Sequence, residues 1–95
     1  MKKINILLVL LLVISSQLYA EPPNQWVMCS SCHGPSGEGG VGPKLQGESA
    51  EEIRSDLKDY KAGKVKGPLS SLMFPMVSDL TEADIDALAK YIETL

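Results

Sequence analysis

The 95-residue sequence predicts an all-α chain of three to four short helices joined by long loops. Two segments show helical spacing of apolar residues behind N-terminal caps, and a shorter third one leads into a cysteine pair. No alternating strand run, two-residue hairpin signal or internal repeat occurs.

The first twenty residues read as a targeting segment. Lys2 and Lys3 make a basic start, Ile4 to Ile14 form an apolar run broken only by Asn5, and Ser15-Ser-Gln-Leu-Tyr-Ala20 ends on a small residue. That is the layout of a secretory signal peptide. The run is short for a span, which takes roughly 20 apolar residues; an uncleaved anchor is the alternative. Residues 1–20 are thus expected to be removed, leaving 21–95 as one mature domain without a membrane-embedded part. Losing Lys2 and Lys3 and no acid moves the formal charge from −3 to −5. Such an acidic chain excludes nucleic acid as a natural partner, because duplex binding relies on a basic patch that displaces counterions. A domain this small buries only about 60% of its unfolded surface. Its aromatic supply is one Trp, one Phe, and the Tyr pair Tyr60 and Tyr91. Something besides side chains is expected to complete the core.

Within the mature part, Glu21-Pro-Pro-Asn24 is an extended lead into a helix of about two turns that carries Trp26 to the cysteines. Gly34-Pro-Ser-Gly-Glu-Gly-Gly-Val-Gly42, followed by Pro43 and Gly47, is too rich in breakers for helix or strand. Its backbone must turn tightly or pass close to something bulky. Ser49-Ala-Glu-Glu52 fits a capping box, and Ile53, Leu57 and Tyr60 form one stripe on a helix ended by Ala62-Gly63. Gly63 to Val77, with Pro68 and Pro75, is expected to be a loop pressed against something apolar. Thr81-Glu-Ala-Asp84 caps the last helix, with Ile85, Leu88, Ala89 and Ile92 on one face.

Chemistry concentrates in Met28-Cys-Ser-Ser-Cys-His-Gly34, which holds both cysteines and the only histidine. A thioredoxin-type dithiol needs neighbouring strands, and zinc needs four ligands, usually from two such pairs. A plain disulfide between residues this close constrains too small a loop to stabilise much. C-x-x-C-H is also the signal for covalent c-type haem: Cys29 and Cys32 lie about one helical turn apart and add to the haem vinyl groups, and His33 presents an imidazole to the iron. This reading accounts for the export signal and supplies the missing core.

The mature chain resembles a small bacterial class I monohaem cytochrome c over residues 24–95. The resemblance rests on "CSSCHG", the loop closed by "GPKLQG", the helix "SAEEIRSDLKDYKAG", the "MFPM" loop and the closing "LTEADIDALAKYI". It implies the cytochrome c fold around one covalently attached haem, with His33 as an iron ligand oriented by the Pro43 carbonyl. A methionine supplies the opposite ligand in such proteins. Met28 adjoins Cys29 and cannot reach that face; Met73, eight residues before the Thr81 cap, matches the family's ligand position, with Met76 as the alternative. Trp26 and Tyr91 should meet where the first and last helices cross. The sequence departs from the family in its brief lead, Glu21 to Met28, and in lacking the small glycine often found in the first helix, so that helix should be shortened. Leu45, Trp26, Leu57, Phe74, Leu88, Ile92 and Tyr91 are candidates for the haem envelope or ordinary core.

Lys58, Lys61, Lys64 and Lys66 form a basic cluster on an acidic chain. It is either a solvated face or a docking patch for an acidic redox partner. No acid/base pair or nucleophile constellation accompanies the haem motif, so the expected role is a periplasmic one-electron carrier between donor and acceptor proteins, without a small-molecule substrate and not itself an enzyme. The alternatives are a haem-bearing subunit of a larger periplasmic dehydrogenase, for example a flavoprotein sulfide dehydrogenase, and an open-site ligand-binding haem protein.

Overall fold

The computed structural model describes residues 21–95; the expected signal peptide, residues 1–20, lies outside the described residues. In chain order the elements are α1 (Trp26–His33), α2 (Ala50–Lys61), a 3-10 turn (Ser70–Leu72), α3 (Phe74–Val77) and α4 (Glu82–Glu93). No strand occurs among the described residues, as an all-α reading requires. None of their helices is long and apolar enough to cross a membrane.

The two long helices begin where their caps place them. Ser49 Oγ accepts from the Glu52 amide at 3.1 Å while Glu52 Oε1 accepts from the Ser49 amide at 3.4 Å. Thr81 and Asp84 make the same reciprocal pair at 3.1 and 2.9 Å. Each box satisfies two amides that a helix start leaves orphaned. Glu51 and Glu52 sit in the first turn of α2 and Lys58 and Lys61 in its last, which complements the helix dipole. The helix stops at Gly63, whose φ of 77° is open to glycine at no steric cost. α1 has only eight residues and no side-chain cap, in line with the shortened helix expected. Gln25, just before it, is held by Asp84 of α4 through a 2.8 Å hydrogen bond.

One expectation needs correction. Leu69 to Val77 is not a loop throughout, because it contains the 3-10 turn and the single-turn α3. Pro75 lies in the first turn of α3, where a missing amide costs no intrahelical bond. The breaker read from sequence is therefore part of a helix start.

The core forms where α2 and α4 pack together and α1 closes one end. Trp26, Ile53, Leu57, Val77, Leu80, Ile85, Leu88, Ala89 and Ile92 are its buried members. Trp26 meets Tyr91 edge to face, with centroids 5.4 Å apart and planes at 62°, so the expected contact of first and last helices is present. Arg54 to Asp86 at 2.6 Å and Lys58 to Glu82 at 3.4 Å tie α2 to α4 at the surface.

Candidate functional site

Opposite the Trp26–Tyr91 contact the helices do not close on one another. A cavity of ≈ 700 Å³ lies between α1, the glycine-rich loop, α2 and the segment from Lys66 to Val77. That is the size of a pocket for a large small-molecule group. Cys29, Cys32 and His33 reach it from α1, and Met73 and Met76 from the facing segment. The cysteine pair, the histidine and both candidate methionines therefore border one space.

Cys29 and Cys32 are unpaired, half-buried thiols three positions apart on α1. Burial pushes the Cys29 thiol up, against a smaller opposing effect of its backbone hydrogen bond. His33 is 7% exposed, and its Nδ1 lies 2.7 Å from the Pro43 carbonyl. A carbonyl only accepts, so Nδ1 carries a proton, and in the neutral ring that tautomer leaves the lone pair on Nε2. This is the arrangement of a metal-ligating histidine whose orientation is set by a second partner.

The glycine-rich loop makes that contact possible. The Gly42 amide donates to the Cys32 carbonyl at 2.8 Å and the Gly39 amide to the His33 carbonyl at 2.7 Å. A Cβ on Gly42 would stand 2.7 Å from His33 Cε1 and 2.8 Å from Nδ1. The bulky object that the loop must pass is thus the imidazole itself.

The two methionines differ in their surroundings. Met73 is half-buried and packs against the core as well as bordering the cavity. Met76 is 40% exposed and also borders a smaller hollow beside Met28, Asp79 and Asp84. Of the candidate envelope residues, Leu45, Leu57 and Ile92 border the cavity; Trp26, Leu88, Tyr91 and Phe74 do not.

Sequence reasoning marked the segment Gly63 to Val77 as pressed against something apolar but did not name every residue of the wall. Val41, Leu69 and Leu72 border the cavity and are 69%, 58% and 54% exposed. Val41 and Leu69 sit in loop segments and Leu72 ends a three-residue 3-10 turn, so no periodicity marks them and only their apolar character could have. Ser70, a buried hydroxyl, was likewise unmarked.

The lysine cluster does not form a free basic face. Lys58 pairs with Glu82, Lys64 with Asp59 at 3.3 Å, and Lys66 with Asp56 and Asp59 at 2.7 and 2.8 Å. Lys61 donates to the Leu80 carbonyl. Asp56 first and Asp59 second hold the Lys66 ammonium above its ordinary pKa, and Lys66 in turn holds the Asp59 carboxyl down. Three of the four lysines thus stand beside carboxylates and the fourth beside a carbonyl, which favours a solvated, internally paired face. At the cavity's edge Glu48 is pushed up, by burial first and then by Asp56 and Glu52.

A large apolar group fits this site. It would cover Val41, Leu69 and Leu72, take two thiols on one side and find an imidazole lone pair beside them. Among the described residues no three His, Cys, Asp or Glu side chains gather as a zinc site would need. The residue types present fit haem c.

Comparison with known proteins points the same way. The family described as Cytochrome c matches residues 16–95. Cytochrome c-554(547) of Halothiobacillus neapolitanus is 40% identical over 76 residues, covering 70% of this chain and 84% of its own. Cytochrome c-553 of Desulfomicrobium norvegicum is 38% identical over 68 residues, covering 70% of this chain and 85% of its own. Cytochrome c-553 of Helicobacter pylori is 41% identical over 70 residues, covering 70% of each chain.

Proposed function

The chain belongs to the cytochrome c family, and from that premise we propose that it is a periplasmic one-electron carrier whose haem c is held by Cys29 and Cys32 and ligated by His33 and Met73. The observation that carries the proposal is the convergence of these four side chains on one apolar cavity. Bound haem supplies a reversible one-electron iron couple.

The chain's own residues do the rest. Cys29 and Cys32 anchor the group through their sulfurs, which fixes its rotation relative to α1. Pro43 holds His33 with Nε2 available as a ligand. Leu45, Leu57 and Ile92 exclude water from the inner wall. Met73 supplies a soft thioether that favours the reduced iron and raises the potential. The periplasmic location is supported by the layout of residues 1–20 and by covalent haem attachment, which takes place outside the bacterial cytoplasm. The partners are redox proteins, met on the side of the molecule where the cavity opens.

The test is spectroscopic. The haem of the wild-type protein should stay bound through denaturing electrophoresis and give a c-type pyridine spectrum. Met73→Ala should lose the methionine-to-iron charge-transfer band and gain carbon monoxide binding in the reduced state, while Met76→Ala keeps the band. The reverse result assigns the ligand to Met76, and loss in neither sinks methionine ligation.

A further inference from the structure

The segment that brings Met73 to the cavity has little core of its own. Between Gly63 and Phe74 the buried residue is a serine, Ser70, whereas Val65, Leu69 and Leu72 are exposed. Apolar burial anchors this wall only from Met73 and Val77 onward, and the stretch from Lys64 to Leu72 has none. A polar chain of contacts leads instead from α2 to Met73. It starts at Asp56 and Asp59 on α2, whose carboxylates take the Lys66 ammonium at 2.7 and 2.8 Å. The same ammonium lies 5.9 Å from the centre of the Tyr60 ring. It continues through the Lys66 and Gly67 amides, which both donate to Ser70 Oγ at 2.8 Å. It ends at the Ser70 carbonyl, which accepts from the Met73 amide at 2.9 Å.

We propose that Lys66 is a positioning residue for the sixth iron ligand: by clamping the 66–73 segment onto Asp56 and Asp59 of α2, it keeps the Met73 thioether at the iron. This rests on Met73 being that ligand. The Lys66 side chain is 31% exposed, so one such pair on its own would contribute little. Here two carboxylates, an aromatic face and a serine-bridged turn share the residue, and the segment has few other anchors. Releasing the clamp raises the fraction of molecules with the methionine off the iron, and the apparent affinity of a competing ligand rises with that fraction.

The experiment is a titration of the ferric haem-loaded protein with imidazole, followed by the charge-transfer band, with helix content checked by circular dichroism. Lys66→Met should bind imidazole about fivefold more tightly than wild type at unchanged helix content. Lys66→Arg, which can still bridge both carboxylates, should stay close to wild type. Lys58→Met breaks an ion pair between α2 and α4 that does not touch the cavity wall, and it should bind imidazole like wild type. Equal affinities for Lys66→Met and wild type overturn the role. A gain in Lys58→Met as large as in Lys66→Met also overturns it, because lost charge alone would then explain the effect. Absence of the band from the wild type overturns the ligand assignment and this role with it; a normal wild-type band with unresponsive variants overturns the role alone.

Discussion

The two sides of α2 are built on different principles. Toward α4, the helix packs on Ile85, Leu88 and Ala89, and Leu88 and Ala89 are wholly buried; Ile53, Leu57 and Ile92 lie at the seam, buried in that core and bordering the cavity as well. Toward the segment 66–77, the same helix borders a cavity, and apolar side chains such as Leu69 and Leu72 stand more than half exposed. The first side is complete with side chains alone. The second is a wall shaped for a group that is not an amino acid, and its exposed apolar residues, Leu69 and Leu72 among them, gain burial against that group. In a chain this small, the cofactor is therefore part of the hydrophobic core as well as the redox centre.

Substitutions should separate the two sides. The largest effect is expected from Leu88→Ala, which opens a void in the closed core and should cost about 2–5 kcal/mol in denaturant unfolding. The iron spectrum should stay as in wild type, since Leu88 does not border the cavity. Gly42→Ala should cost less, about 1–3 kcal/mol. It should nevertheless shift the iron spectrum and the midpoint potential, because the added methyl would stand 2.7 Å from the His33 ring and force it away from Pro43. A spectral change in Leu88→Ala, or none in Gly42→Ala, would break the division between the two sides.

The smallest effect is expected at the surface of the closed side. Lys90 and then Arg54 hold the Asp86 carboxyl below its ordinary pKa. An unfolded aspartate titrates near about 3.9, so the folded chain binds fewer protons here than the unfolded one. The contribution is fully present above that value and is lost as pH falls through the lower folded-state pKa. Asp86→Asn should flatten this acid limb of the stability curve, measured by urea midpoints against pH. Added salt should shrink the difference, since Asp86 is exposed to solvent.

Much of this was legible before any coordinates. Ser49 and Glu52, and Thr81 and Asp84, are three positions apart, and a capping box is closed by local geometry alone. Cys29, Cys32 and His33 share one short helix for the same reason. The Leu69–Val77 segment was harder, because Pro75 breaks a helix in its interior and is tolerated in its first turn, and nothing local to the proline says which applies. The lysines were harder still. Lys66 lies ten positions from Asp56, and the chain has to reverse direction after Gly63 before the two can pair.

The sequence by itself determined the all-α class, the two capped helices and the attachment motif, because helix periodicity, caps and a five-residue motif all act within a few turns of chain. Only the tertiary structure decided which apolar residues line the cavity, that Gly42 leaves room for His33 against Pro43, and that Lys58, Lys64 and Lys66 pair with acids of α2 and α4. These are contacts between distant segments. They are set by the packing of α1, α2 and α4 together and by the route of the chain around the cavity, which no local pattern encodes.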